Sequence, residues 1–369
     1  MALPESADRL LGDLVGEGCV IGASLTQALL HSSFWGSAKA CPFARRKAGS
    51  AGGTAVAKDI DAASMPAPVR ILVTGGCGFI GSNLVPLLLE RGADVVVLDS
   101  FAIAGPERLP DGADVREGDV RDPAALAGAA AGADAVIHLA AAGNVSDSVT
   151  DPLANFEVNA RGTLLTLHAA VEAGVRRFVF ASTGGALIGD APPPVDEGSV
   201  PRPISPYGAS KLCGEGYCQA FRGSYGLETI ALRFANVYGP GSDLKRGAVT
   251  TFIKRALRGE PLTIYGDGGA TRDFIYVDDL CAGILAGLDS RAAQGVVHLA
   301  SERETTIEEL ARLVLAATGS DAPIEHVARR RGEVERNFAI AKLAGEVLGW
   351  RAQVSLEDGI SRTVEWFRG

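Results

Sequence analysis

From Val69 onward, uninterrupted apolar runs alternate with stretches whose apolar positions recur every three or four residues. Val69–Thr74 reads as a strand, Ser82–Arg91 as a helix, and Asp94–Leu98 and Val136–Ala140 as further strands. Asn155–Ala173 reads as one long helix, followed by strand Arg177–Ser182, helix Tyr207–Phe221 and strand Glu228–Phe234. Strands without polar alternation are buried on both faces, so helices must cover both sides of a parallel sheet. Right-handed crossovers then make it doubly wound. The class is α/β. After Asn236 the pattern loosens into loops bearing Gly and Pro, and the tail to Gly369 is long enough for a smaller C-terminal α/β substrate lobe.

Residues 1–68 differ. Acidic and basic residues balance there, so the net charge of −9 arises downstream. The run from Gly36 to Ala63 has no sustained period, and the start of the chain lacks the basic-then-apolar pattern of a secretory signal. The expectation is an N-terminal extension, either disordered or a mis-called start, with Met65 just ahead of the first strand. The expected division is residues 69–235 plus about 270–302 for a dinucleotide domain. About 236–269 plus 303–369 would form the second lobe.

Composition narrows the function. With 47% hydrophobic and 21% charged residues the chain is ordinary globular protein. An acidic balance argues against a nucleic-acid binder, which needs a basic face. No apolar run is long enough for a membrane span. The six cysteines, Cys19, Cys41, Cys77, Cys213, Cys218 and Cys281, are scattered without metal-ligand spacing. Free thiols, a reducing cytoplasmic compartment and no metal are expected. His138 lies in an apolar strand and reads as a packed core residue.

Chemistry concentrates at two places. Thr74-Gly75-Gly76-Cys77-Gly78-Phe79-Ile80-Gly81 follows the first strand and opens a helix. Gly75 permits a tight turn, Gly78 lets a pyrophosphate approach the backbone, and Gly81 lets helix and strand pack closely. Asp99 closes the second strand, where a carboxylate accepts ribose hydroxyls and repels a 2′-phosphate, favouring NAD over NADP. Tyr207 and Lys211 stand at i and i+4, on one helix face and about 6 Å apart along the axis. A tyrosine acting as base near neutrality needs its pKa lowered by ~3 units, or ~4 kcal/mol. A cation 4–5 Å away supplies ~3–4 kcal/mol at an effective dielectric of 20. Thr183 ends the preceding strand, at the same carboxyl edge, with Gly184 and Gly185 after it.

In order along the chain, these motifs resemble the extended short-chain dehydrogenase/reductase family of nucleotide-sugar epimerases and dehydratases. The resemblance also rests on Gly118-Asp119-Val120, Val136–Ala141, Asn159–Thr163, Leu232–Asn236, Arg272–Asp279, Arg330–Glu333 and Leu348-Gly349-Trp350. It implies a Rossmann sheet holding NAD, with Gly75, Gly78, Phe79, Ile80, Gly81, Asp99, Leu139, Ala140, Ala141 and Asn159 at the cofactor. Asp119 and Val120 would meet its adenine, and Lys211 its nicotinamide ribose beside Tyr207. Thr183, Asn236, Arg272, Arg330 and Glu333 would bind the nucleotide-sugar. Tyr207, Lys211 and Thr183 would be catalytic. Departures are Ile188, Gly143 and Ile340, where relatives often carry Tyr, Lys and Asp.

Dehydratases of this family follow the catalytic Thr with Asp-Glu, and related decarboxylases often carry a Glu there; here the positions are Gly184 and Gly185. What remains is epimerisation at C4: NAD takes the hydride, a 4-keto sugar turns over, and the hydride returns to the other face. A UDP-glucose/UDP-galactose substrate is favoured. A UDP-uronate 4-epimerase, another nucleotide-sugar dehydratase or reductase, and a non-catalytic NAD-sensing regulator are the alternatives. Relatives pair through helices corresponding to about Pro152–Ala173 and Tyr207–Phe221, so a homodimer is expected, with Leu164, Leu167, His168 and Val171 at helical spacing.

Overall fold

The computed structural model describes residues 70–328 and 334–369. The expectations for the N-terminal extension, and for Arg330 and Glu333, lie outside the described residues.

Six strands in chain order, β1 (Arg70–Thr74), β2 (Asp94–Asp99), β3 (Asp114–Glu117), β4 (Ala135–His138), β5 (Arg177–Thr183) and β6 (Glu228–Phe234), join a seventh, Gly295–Leu299. The order across the sheet is Gly295–Leu299, β6, β5, β4, β1, β2, β3, all parallel. The order reverses between β1 and β4, a switch point that opens a crevice at the strands' carboxyl ends.

The β1 side chains show why the sheet is covered twice. Ile71 and Val73 join one core cluster with Leu84, Leu88 and Ile284. Leu72 joins the opposite cluster with Leu126, Leu167, Phe178 and Phe180. Strand alternation turns consecutive apolar residues to opposite helical layers. A third cluster, including Phe252, Ile253, Leu310, Val314 and Ile360, gathers helices Ala248–Leu257, Ile307–Thr318 and Leu356–Arg368. Short ladders accompany it: Asn236–Tyr238 with Phe274–Tyr276, Thr271–Arg272 with Thr305–Thr306, and Leu262–Tyr265 with Ile324–Val327.

Some boundaries differ from expectation. The first helix starts at Phe79, directly after Gly78, so the glycine loop is shorter than the sequence suggested. The long helix is broken into Pro152–Phe156, a π-turn at Glu157–Arg161, and Gly162–Glu172. The widened turn carries Asn159, and such turns occur often at functional sites. β4 ends at His138, and Leu139 and Ala140 run on past Gly75. Among the described residues, Cys77, Cys213, Cys218 and Cys281 are free thiols, and no helix is long and apolar enough to cross a membrane.

Candidate active site

The glycine loop is fixed by close approach. Gly75 has φ +71°, and a Cβ there would lie 2.7 Å from the backbone of Ala140. A Cβ on Gly81 would lie 2.3 Å from the Gly76 carbonyl oxygen, so this glycine is required by the loop's own backbone rather than by helix-to-strand packing. Gly78 precedes the helix in extended conformation, and no side chain caps that terminus. The N–H groups of Phe79, Ile80 and Gly81 therefore belong to an uncapped first turn, the donor set that suits a pyrophosphate. A dinucleotide fits these residues.

Asp99 is half-buried, and its carboxylate accepts the N–H groups of Cys77 and Phe101, each at 3.0 Å. This holds it beside the loop. Arg108, nine residues on, is committed elsewhere: it donates to the Gly241 carbonyl at 2.6 Å and to Asp243 at 2.8 Å. Asp119 is gripped by Arg121 through two donors at 2.8 and 2.6 Å, which holds its carboxyl below the usual range. Val120 is buried beside Gly162. Leu139, Ala140 and Ala141 are half-buried, and the first two take their places against Thr74 at the end of β1. Asn159 is buried, and its amide bonds the N–H and carbonyl of Ala142 and the Ser210 hydroxyl. Both its amide hydrogens are used within the protein, which suits a positioning role.

Helix Pro206–Tyr225 starts where its sequence dictates. Ser205 caps it by accepting from the Gly208 N–H at 3.2 Å, and Pro206 takes the first position, where no N–H is needed. Gly208 allows this start to press on the preceding turn, because a Cβ would lie 2.0 Å from the Ala186 oxygen. The Thr183 hydroxyl lies near enough to the Tyr207 phenol to favour its ionised form. Lys211 is buried, donates its ammonium to the Ala181 carbonyl at 2.8 Å and stands 4.9 Å from the Phe180 ring centre. The expected lowering of the tyrosine by the lysine is not what this geometry gives. Burial pushes the Tyr207 phenol up to about 12, with the neighbouring Thr183 hydroxyl pulling the other way, and burial brings Lys211 down to about 8. Lys211 turns toward the end of β5 rather than pairing with the phenol. Behind them His138 lies between the Thr74 and Thr163 hydroxyls at 2.7 and 3.0 Å, a packed core residue held down to about 3 by burial and by Lys211.

On the other side of the crevice's residue set, Asn236 bonds the Asp273 carbonyl through its N–H and its amide, at 2.8 and 3.1 Å. Arg272 is half-buried and donates to the Thr271 carbonyl at 2.7 Å. Asp273 turns inward to accept from the N–H and hydroxyl of Ser301 and the N–H of Glu302, and burial pushes it up to about 6. Asn337 escaped the sequence reading. It is buried, its Nδ2 lacks a protein partner, and its Oδ1 would sit 3.0 Å from a Cβ on Gly185. Only a long-range contact reveals it, since a lone Asn in a charged stretch carries no local signal.

The model of the NAD dependent epimerase/dehydratase family matches residues 71–300. A UDP-glucose 4-epimerase of Mycolicibacterium smegmatis is 38% identical over 311 residues, covering 81% of this chain and 99% of that protein. A UDP-glucose 4-epimerase of Thermotoga maritima, solved with UDP-glucose, superposes with a TM-score of 0.79 at 38% identity, covering 81% of this chain and 98% of the other. That of Thermus thermophilus, solved as a complex with NAD, gives 0.77 at 38% identity, covering 81% and 99%.

Proposed function

The chain belongs to the NAD dependent epimerase/dehydratase family, and from that premise we propose that it interconverts UDP-glucose and UDP-galactose by epimerisation at C4. The observation that carries this reading is the hydroxyl pair Tyr207–Thr183 followed by two glycines. The site has a base and a hydrogen-bonding partner for one sugar oxygen, and no carboxylate at 184 or 185 to drive elimination.

Bound NAD supplies a hydride acceptor and donor at sugar C4. Tyr207, as phenolate, takes the O4 proton and returns it to the epimer. Thr183 bonds the same oxygen and fixes its distance. Lys211, close by on the same helix face, reaches the nicotinamide ribose. The uncapped turn at Phe79–Gly81, with Gly75 and Gly78, receives the pyrophosphate, and Asp99 takes the adenosine ribose. Asp119 and Val120 border the adenine, with Leu139, Ala140 and Ala141 along the cofactor. Asn236 and Arg272 receive the substrate diphosphate, the arginine fork suiting it better than a lysine. Arg330 and Glu333 are assigned to the same nucleotide on the resemblance. The third core cluster with its ladders forms the nucleotide-sugar lobe.

The working unit is a cytoplasmic homodimer. Leu153 and Phe156, 76% and 53% exposed, give an apolar surface at the start of the helical pair that relatives use. Leu167 does not contribute, because it is fully buried against the sheet, while Leu164 and Val171 are only partly covered. Product analysis by NMR with a panel of UDP- and dTDP-hexoses and UDP-uronates tests the reading. UDP-galactose formed from UDP-glucose without added cofactor is expected. Turnover of the uronate alone, or a 4-keto-6-deoxy product, would replace it. Light scattering at micromolar concentration should give twice the chain mass.

A further inference from the structure

Three consecutive residues at the end of β5 face three positions of one helix. The Ala181 carbonyl accepts from Lys211 at 2.8 Å, the Ser182 hydroxyl donates to Glu215 at 2.6 Å, and the Thr183 hydroxyl lies near the Tyr207 phenol. Positions 207, 211 and 215 are i, i+4 and i+8, so they share a face. The contact at Glu215 is the charged one. The oxygen of Glu215 that accepts from Ser182 also accepts from Arg233 Nε at 2.9 Å, and its other oxygen accepts from Arg233 Nη2 at 2.8 Å. The arginine and glutamate side chains are 4% and 6% exposed. Arg233 stands on β6 directly opposite Ser182 in the ladder. Helix, β5 and β6 therefore meet at one carboxylate, one residue away from Thr183.

A buried ion pair is an expensive way to hold a fold, and apolar side chains of similar volume are often as stabilising. What the pair adds is direction. Its two parallel bonds fix the angle as well as the distance between helix and sheet. We propose that Ser182, Glu215 and Arg233 form a positioning cluster that holds the Thr183 and Tyr207 hydroxyls on one sugar oxygen. The inference rests on the roles given to Tyr207 and Thr183 above. Glu215 and Arg233 act through Ser182 and the strand, and are positioning residues rather than catalytic ones.

The test separates stability from geometry. Glu215→Gln leaves Arg233 buried without its counter-charge, and should lower both the melting temperature and kcat. Combining Glu215→Met with Arg233→Met replaces the pair by apolar side chains. That double variant should regain the melting temperature and bound NAD of the unsubstituted protein, while kcat stays about 100-fold down and KM moves by about twofold or less. Recovery of kcat together with the melting temperature would show a purely structural pair and overturn the proposal. Should these variants not fold, Ser182→Ala removes one bond and leaves the ion pair intact. It should lower kcat about tenfold with little change in KM, and an unchanged kcat overturns the proposal. If the unsubstituted protein turns over no nucleotide-sugar, the proposed function fails separately. Crystal structures then decide the positioning: the Thr183 and Tyr207 hydroxyls should move apart in Ser182→Ala, and an unchanged separation overturns the cluster's role.

Discussion

The carboxyl edge of the sheet and the segments assigned to the nucleotide-sugar hold their candidate residues in opposite ways. At the edge, Gly75 is wedged against Ala140 and Gly81 against Gly76, at distances no side chain could enter. Lys211 and His138 are buried and hydrogen-bonded beneath it. Asn236 and Arg272 instead sit in strands of three and two residues, fastened to backbone carbonyls at Asp273 and Thr271. The first region is fixed by backbone contacts that leave no room for a side chain, the second by side-chain bonds to backbone carbonyls on strands whose neighbouring residues are buried.

Substitutions can break or sharpen that contrast. Tyr207→Phe should give the largest effect, retaining bound NAD while turnover drops by about 10³-fold or more, because hydride transfer needs the O4 proton removed. NMR-followed epimerisation at the unsubstituted rate would remove Tyr207 from the mechanism. Gly81→Ala should come next. Its Cβ meets backbone that cannot yield cheaply, so the loop must open, and the purified variant should carry little or no NAD by absorbance after acid release. Arg272→Ala touches the second region and should raise KM about tenfold with kcat nearly kept, equivalent to ~1.4 kcal/mol of substrate binding. A kcat loss equal to that of Tyr207→Phe would erase the contrast.

The smallest effect is on stability against pH. Burial holds His138 at about 3 and His298 at about 4, against a usual 6.5. Both stay neutral in the folded chain while the unfolded chain takes up protons, so stability falls as pH drops below about 6.5. Asp273, raised to about 6, works against this between about pH 6 and 4, because it is protonated in the folded chain first. Two histidines against one carboxyl keep the decline in the same direction through that window. His138→Gln should flatten the decline, read as melting temperature between pH 7 and pH 5. An unchanged slope would mean that the imidazole is not what titrates.

The sheet was legible because parallel strands are buried on both faces and announce themselves as apolar runs; β5 and β6 match the expected strands to within a residue. β3 was not, since Asp114–Glu117 is largely polar and lies on the sheet's edge. The π-turn at Glu157–Arg161 left no trace, because one extra residue per turn barely shifts the helical period. The glycine loop and Tyr207–Lys211 spacing were readable as local patterns. The direction of Lys211, the inward turn of Asp273 and the place of Asn337 were not, because each depends on partners far along the chain.

The contact between Gly185 and Asn337 bears on how such a site can change its reaction. Restoring an acid-base pair at 184 and 185 would be the obvious route from epimerisation to elimination. A side chain at 185 would first meet the Asn337 amide at 3.0 Å, and one at 184 would meet the His298 ring at 3.3 Å. A carboxylate at 185 must displace the Asn337 amide by a few tenths of an ångström, so the room that side chain has to swing sets how readily the position accepts one. In laboratory evolution, substitutions at 337 should raise the tolerance for a carboxylate at 185.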